Sequence, residues 1–206
     1  MTIQLQDKFA KQYLKELLSP FGQVEISREL AGEGRQADIY FSPASKPPIS
    51  SLNLGILSKI LLSDCLIETF RHKLTLNEVR NCLLKLFYIQ SELQREATEN
   101  QELINEIDLP SLLIIATATS EKLINSFGFQ LNPVNQITGV YISPVGWKTN
   151  LIVINQLPIL PETLWLRILD KGKTQESAIL ELVDLSPENY LRNRALGQVS
   201  IWRNRL

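Results

Sequence analysis

The chain has 206 residues, of which 44% are hydrophobic and 21% charged, a composition typical of one globular domain with its own core. Its 21 basic and 22 acidic side chains leave a net charge of −1, so no overall electrostatic field draws the protein onto nucleic acid. Two cysteines outside any CxxC pair exclude a secreted disulfide scaffold, and without a signal peptide or a bilayer-length apolar run we expect a cytoplasmic protein that does not enter a membrane.

The N-terminal part begins with a helix that is followed by a β-hairpin. Apolar residues at helical spacing predict an amphipathic helix over residues 7–18, which ends before Pro20. Residues 23–30 and 37–41 alternate between polar and apolar side chains on either side of a glycine-bearing turn at 31–34. Two alternating runs around such a turn are typical of a β-hairpin.

The middle of the chain is predicted to be mainly helical. Residues 42–51 are rich in proline and serine and form a loop, because proline neither continues a helix nor donates to a sheet. Residues 52–62 are one candidate helix, and residues 70–73 suit the polar end of a helix. A longer helix starts with a capping box at Thr75, and its acidic side continues to residue 106.

Strands and helices alternate over the second half of the chain. The predicted strands are residues 111–117, 139–143 and 150–156. The predicted helices are residues 120–127, 161–169, 174–183 and a last one that opens at Ser186-Pro187. The complete order predicts a single α/β domain over residues 1–206, with a central mixed sheet of roughly four to six strands flanked by helices.

Four charged residues cluster in and beside the predicted hairpin, namely Glu29, Glu33, Arg35 and Asp38. Glu29 and Asp38 occupy the polar positions of the two strands, so both carboxylates can face the same side. Converging carboxylates suit Mg²⁺, which prefers oxygen ligands and keeps several waters, and such a cation can activate water against a phosphodiester. The alternative is an ordinary solvated face of a hairpin, where charged side chains are expected.

The segment Phe9–Pro43, FAKQYLKELLSPFGQVEISRELAGEGRQADIYFSP, resembles the N-terminal part of PD-(D/E)XK nuclease-superfamily proteins. It is most similar to the transposase-associated, recombination-promoting nuclease branch. There a helix precedes a strand ending in Glu, a turn with Arg, and a strand with the metal-binding Asp. The resemblance implies a restriction-endonuclease-like fold, with Glu29 as helper acid, Asp38 as principal Mg²⁺ ligand and Arg35 as a conformational or DNA phosphate contact.

The same family carries an acid, one spacer residue and then Lys or Gln on a third strand. Among the predicted strands, the later one similar to this pattern is residues 151–158, LIVINQLP. Gln156 would there position the attacking water, while Ile154 stands in the place of the acid. The resemblance thus assigns catalysis to Asp38, Glu29 and Gln156, with Mg²⁺ bound by Asp38 and Glu29.

Two further features bear on partners. Arg192 and Arg194 lie in a stretch without acidic residues, and together with Arg35 they are the predicted DNA contacts, each adding a salt-dependent term to binding. The alternative for the two C-terminal arginines is that they complement a helix dipole. Trp165, in the segment LPILPETLWLRIL, either docks a helix on the sheet or contacts a partner.

Two functions follow from these observations. The first is a metal-dependent DNA endonuclease of the PD-(D/E)XK type, with a site that is either active or degenerate. The second is a non-catalytic protein-interaction or regulatory module, for which a homodimer is one form. This module would contact its partner through the acidic helix face of residues 92–106 and the region of Trp165.

Overall fold

The computed structural model describes residues 2–30, 35–45, 53–134 and 136–204 of the chain. Within these ranges the helices are α1 (Thr2–Leu18), α2 (Leu57–Ile60), α3 (Leu76–Glu99), α4 (Glu121–Ser126), α5 (Leu164–Arg167), α6 (Gly172–Asp184) and α7 (Tyr190–Arg203). The strands are β1 (Gly22–Leu30), β2 (Arg35–Pro43), β3 (Cys65–Lys73), β4 (Ser111–Ala118), β5 (Gln130–Leu131), β6 (Val140–Ile142) and β7 (Thr149–Val153).

The described strands form one seven-stranded mixed sheet in the order β1-β2-β3-β4-β7-β6-β5. β1, β2 and β3 make an antiparallel meander, β3, β4 and β7 run parallel, and β6 and β5 complete the far edge with antiparallel pairs. β4 lies at the centre because its apolar residues are buried on both faces, as in most parallel strands. α3 provides the crossover that the parallel pair of β3 and β4 requires.

Helices cover both faces of the sheet. On one face α1, α2, α5, α6 and α7 share a core that includes Tyr13 and Trp165. On the other face α3 and α4 share a core that includes Leu83 and Leu123. This arrangement confirms the predicted α/β class with a central mixed sheet between helices. None of the helices in the described ranges has both the length and the apolar character needed to span a membrane.

Trp165 is a core residue that fastens α5 to its surroundings. Its side chain is buried, and its indole N–H donates a hydrogen bond to the carbonyl of Asn53 at 2.9 Å. The hydroxyl of Tyr13 in α1 donates to the Trp165 carbonyl at 2.9 Å. The structure thus confirms that Trp165 docks a helix on the sheet, and it leaves little of this side chain for a partner.

Several predicted elements are confirmed, and others were wrong for a physical reason. The β-hairpin, the capping box at Thr75 and the helix capped by Ser120 are present. Residues 70–73 belong to β3 rather than to a helix end, and of the predicted helix at 52–62 only Leu57–Ile60 is helical in the part that the structure describes. The short buried run that opens β3 has no periodicity of its own, so pairing with β2 and β4 decides its structure.

The ends of two helices also differ from the prediction. α3 stops at Glu99 instead of reaching residue 106, because Gln101 turns into the left-handed region at φ 59° and the amide of Glu102 bonds back to the Ala97 carbonyl. α7 begins after Asn189, whose side chain accepts a hydrogen bond from a backbone amide of the first turn. Ser186-Pro187 therefore lies in the preceding turn. Within the described residues the sheet has seven strands rather than four to six, because β3 and β5 join the five predicted ones.

Candidate active site

The candidate site lies where β2 and β3 move apart. The two strands pair only over Ile39↔Ile67, Tyr40↔Leu66 and Phe41↔Cys65. Beyond this ladder, two acidic side chains replace the missing backbone bonds. The amide of Asp38 donates to Glu68 Oε1 at 3.3 Å, and the amide and hydroxyl of Thr69 donate to Asp38 Oδ2 at 3.1 and 3.4 Å.

These reciprocal bonds fix both carboxylates against the backbone of the opposite strand. A buried N–H left without a partner costs about 1–3 kcal/mol, so each acid satisfies a donor that strand divergence would otherwise leave unpaired. The same bonds orient Asp38 and Glu68 towards one gap in the sheet. The site is thus built from the end of the β2–β3 ladder.

Two lysines from opposite faces of the sheet neutralise this acidic pair. Lys85 of α3 places its Nζ 2.9 Å from both carboxylate oxygens of Glu68. Lys11 of α1 places its Nζ 2.8 Å from Asp38 Oδ1. The Glu68 side chain is only 4% exposed and that of Lys85 16%, whereas Asp38 and Lys11 are each 22% exposed. The Asp38 end is therefore the solvent-accessible side of the cluster.

Burial and the neighbouring charge perturb the ionisation of Glu68. Desolvation raises the pKa of Glu68 above its usual range, and the negative charge of Asp38 raises it further. The ammonium group of Lys85 and the amide of Asp38 act in the opposite direction. Glu68 is thus an acid whose charged form depends on nearby cations.

The ligand atoms present suit a hard divalent cation that keeps part of its water shell. In the described part of the chain, no group of three or more His, Cys, Asp or Glu side chains is arranged to hold a metal ion. The Asp38–Glu68 pair supplies two carboxylates, and Mg²⁺ sites commonly use one or two carboxylates with waters or phosphate oxygens as the remaining ligands. The pair therefore fits Mg²⁺ better than a metal that requires a full set of protein ligands.

The backbone of β1 is irregular next to this site. The β1–β2 register passes from Ile26↔Ile39 to Arg28↔Ala37, so Ser27 and Asp38 fall between the paired positions. Ser27 has φ 54°, a left-handed conformation that is uncommon for a residue other than glycine. Strained residues of this kind gather at functional sites more than elsewhere, so the conformation of Ser27 is a second feature that favours a functional site around Asp38.

Of the three residues predicted to be catalytic, the described structure brings only Asp38 into this cluster. Glu29 is exposed on β1 and lines a cleft beside Glu92 and Tyr88 of α3. If Glu29 stood with Asp38 and Glu68, the three acids would form a group able to hold a metal, and no such group exists among the described residues.

Gln156 lies in another part of the sheet. It ends a short 3-10 turn after β7, and β3 and β4 lie between β2 and β7. Its side-chain oxygen accepts a hydrogen bond from the hydroxyl of Tyr141 at 2.7 Å. The strand next to β2 is instead β3, where Glu68, Thr69 and Phe70 follow one another. Glu68 is an acid on this strand, and Phe70 lies two positions after it, where the nuclease pattern has Lys or Gln.

The sequence interpretation missed Glu68, Lys85 and Lys11. A local signal existed for Glu68, since an acid directly follows the apolar run of residues 65–67. Lys85 gave a weaker signal, because it lies between Cys82 and Leu86 of the buried face of α3. Nothing local marks Lys11, whose partner Asp38 is in a different element.

The predicted DNA contacts have other roles in the described structure. Arg192 donates to the carbonyl of Val183 through Nε and Nη2, at 3.3 and 3.0 Å. Arg194 donates through Nε to the Glu16 carbonyl at 2.7 Å and forms an ion pair with the Glu16 carboxylate at 2.6 Å. These contacts tie α7 to the C-terminal end of α6 and to α1, and a DNA contact by either arginine remains a prediction. Glu33 and the side chain of Arg35 lie outside the described residues.

No protein-family model, no curated protein and no solved structure matches this chain.

Proposed function

We propose that the protein is a metal-dependent phosphodiesterase of the nuclease type that acts on DNA in the cytoplasm. One observation carries this proposal: Asp38 and Glu68 are fixed together at the divergence of β2 and β3, with Lys85 bound to Glu68. The resemblance of residues 9–43 to PD-(D/E)XK nucleases also supports it. In that family an acid on a third strand completes the site, and we assign this role to Glu68, which lies on the strand next to β2 and accepts a hydrogen bond from the Asp38 amide.

Asp38 and Glu68 would hold Mg²⁺, which when bound supplies a more acidic water and neutralises charge on the phosphodiester. Lys85 keeps the Glu68 carboxylate ionised and oriented, because both oxygens lie 2.9 Å from its Nζ. In the nuclease family a Lys or Gln on the third strand positions the attacking water. Phe70 stands at that position and has no hydrogen-bond donor in its side chain, whereas Lys85 supplies a donor from α3. Lys11 offers a positive charge to a substrate phosphate at the more exposed end of the site.

Cleavage of supercoiled plasmid with and without Mg²⁺ tests this function. We expect nicking by the wild-type protein and a loss of about 100-fold or more in Asp38→Asn, Glu68→Gln and Lys85→Met, since the first two changes remove the metal-binding carboxylates and the third removes the lysine that orients Glu68 and supplies the donor for water. Glu29→Gln is the matched control, since Glu29 is an acid on the same hairpin outside the cluster. Gln156→Ala tests the other candidate for the water-positioning residue.

Binding of the cation gives an independent measurement. Isothermal titration with Mg²⁺ or Mn²⁺ should show one site in the wild-type protein and none in Asp38→Asn. Equal nicking by wild type and Asp38→Asn would contradict the proposal, as would a wild-type protein that neither cleaves DNA nor binds either cation.

A second candidate, the non-catalytic interaction module in homodimeric form, is supported by a different observation. Phe87 of α3 and Trp147 are both 39% exposed, with ring centroids 6.1 Å apart, and the nearby Val145 is 88% exposed. Contiguous exposed apolar side chains often mark interaction surfaces. If this function is correct, the wild-type protein should elute as a dimer in light-scattering chromatography, and Val145→Ser/Trp147→Ser should elute as a monomer.

A further inference from the structure

A cavity of about 580 Å³ lies between α1, β1 and α7, directly beside the candidate active site. This volume is within the range that small-molecule sites occupy. Lys11 belongs both to the wall of the cavity and to the acidic cluster, since its Nζ lies 2.8 Å from Asp38 Oδ1. Ser27, the left-handed residue of β1, also lines it. A ligand in this cavity would therefore reach the edge of the catalytic cluster.

An aromatic pair forms the apolar wall of the cavity. The rings of Phe9 and Trp202 have centroids 4.9 Å apart and an interplanar angle of 31°. The guanidinium group of Arg71 lies 5.9 Å from the Phe9 centroid and 6.0 Å from that of Trp202. Cations over aromatic faces stabilise such an arrangement, so this wall is held in place from behind by a positive charge.

Several polar atoms at this wall lack partners. Nε and Nη1 of Arg71 and Nε1 of Trp202 are buried and have no hydrogen-bond partner among the described residues. Asp7, which also lines the cavity, lies close enough to act on the charge of Arg71. Because each of these atoms is enclosed by protein and Arg71 does not line the cavity, they belong to the support of the wall and are not contacts for a ligand.

Basic and amide side chains form the polar part of the lining. Lys8 and Lys11 come from α1, and Gln198 comes from α7. Ammonium groups of this kind bind phosphate as point charges, and amides bind the polar edges of heterocycles. An aromatic wall with two lysines beside it matches a ligand that has a flat ring at one end and an anion at the other.

We infer that the cavity binds one nucleoside phosphate unit of a single-stranded nucleic acid. The base lies against Trp202, whose ring packs on the buried Phe9, and the phosphate is held by Lys8 and Lys11 next to Asp38. This inference names the substrate class of the proposed site and rests on the proposed function. A single strand, such as the unpaired segments that negative supercoiling opens in a plasmid, is required because its bases are free to stack on protein aromatics, whereas those of a duplex are already stacked and paired.

Binding of the phosphate also affects the catalytic acid. The ammonium group of Lys11 cannot serve Asp38 and a phosphate at full strength simultaneously, so a bound strand draws it away from Asp38 Oδ1. That oxygen is then available to a cation. Substrate and cation would thus bind with positive cooperativity, each removing an obstacle to the other.

Fluorescence anisotropy with a labelled ten-nucleotide oligothymidylate, in EDTA, tests the cavity without any cleavage. We expect Trp202→Leu to weaken binding about ten-fold, as loss of one stacking platform does, and Trp147→Leu, which removes a tryptophan on another surface, to leave it unchanged. Lys8→Gln should reduce the slope of log K against log salt by about 0.7, the value for one phosphate contact on a single strand. Gln198 is partly exposed, so substitutions there should leave the core intact. Gln198→Glu should weaken binding, and Gln198→Ala should weaken it less.

The outcomes separate this inference from the proposed function. Binding by Asp38→Asn that equals or exceeds wild type, together with lost nicking, supports both. Strand binding that depends on Trp202, in a wild-type protein without nicking, supports the cavity and refutes the nuclease. Nicking with unchanged KM in Trp202→Leu and Gln198→Glu refutes the cavity and leaves the nuclease. Equal affinity for a duplex or for free thymidine monophosphate would also overturn the inference.

Discussion

Replacing Lys85 by methionine should destabilise the protein in a strongly pH-dependent way. The Glu68 side chain is 4% exposed, and both of its oxygens lie 2.9 Å from the Lys85 Nζ. Methionine keeps most of the aliphatic volume and a high helix propensity, so α3 should persist. What is lost is the positive charge that allows Glu68 to remain ionised in the gap between β2 and β3.

The expected magnitude follows from the fate of that carboxylate. Removing one partner of a buried ion pair costs about 3–5 kcal/mol when the other stays charged. Glu68 can limit this cost by taking up a proton, which costs about 1.4 kcal/mol for each unit by which the pH exceeds its pKa in the unfolded chain. Since burial and Asp38 already raise the pKa of Glu68 in the folded state, and loss of Lys85 raises it further, we expect the variant to lose about 3 kcal/mol at pH 8.

The sign of the pH dependence can be stated from the same shift. Because the pKa of Glu68 is raised in the folded state, the folded protein binds more protons than the unfolded chain at pH values between the two pKa values. The free energy of unfolding therefore falls as the pH rises through that range. Near pH 4, close to the unfolded value of about 4.3, Glu68 is largely protonated in both states. The destabilisation by Lys85→Met should therefore be small there and grow towards pH 8.

Urea denaturation at pH 4.5, 6 and 8 measures this dependence directly. The matched control is Glu68→Gln/Lys85→Met, which keeps the shape of the site but has no charge to bury. At pH 8 it should be more stable than Lys85→Met, and its difference from wild type should vary less with pH. A loss in Lys85→Met that is the same at all three pH values would refute the reasoning, as would a double variant no more stable than the single one at pH 8.

Three further predictions concern single side chains. Asp38→Asn should lower the pKa of Glu68, because a neighbouring negative charge is removed, and carboxyl ¹³C NMR titration would show no change if the two acids did not interact. Arg167→Met should cost about 3 kcal/mol in chemical denaturation, since the guanidinium is 1% exposed and pairs with Glu181 at 2.6 Å, while Arg167→Lys should recover little of it. Arg167 also lowers the pKa of Glu181. The stability that this ion pair contributes is present above the unfolded pKa of about 4.3 and is lost as the pH falls through the lowered pKa of the folded state. Arg167→Met should lack this part of the acid dependence. Thr75→Ala should cost about 1 kcal/mol in thermal unfolding, Thr75→Ser much less, because the hydroxyl caps the α3 amide of the third residue.

Local pattern predicted those parts of the fold that neighbours in sequence decide. Alternation of polar and apolar residues predicted β1 and β2, and with them the position of Asp38 on one strand of a hairpin. The capping box fixed the start of α3, since both of its bonds lie within four residues of Thr75. The end of α3 was harder to predict, because the left-handed turn at Gln101 follows no strong residue preference.

Partners far apart in the sequence decided the rest of the candidate site. Asp38 and Glu68 are 30 residues apart, and Lys85 is 17 residues beyond Glu68. Because residues 65–73 were not predicted to form a strand next to β2, the third strand of the nuclease pattern was assigned to residues 151–158, with Gln156 in the final position and Ile154 in the place of the acid.

By itself the sequence determined an α/β chain with a hairpin that carries Asp38, because hydrophobic periodicity and turn chemistry act between residues close along the chain. Only the tertiary structure decided which acid meets Asp38 and which lysines neutralise the pair. Those contacts depend on strand order and on the helix faces that pack against the sheet. The physical reason is that a buried charge is strongly destabilising unless an opposite charge lies close to it. The fold brings the two groups within about 3 Å, and no local sequence pattern encodes that distance.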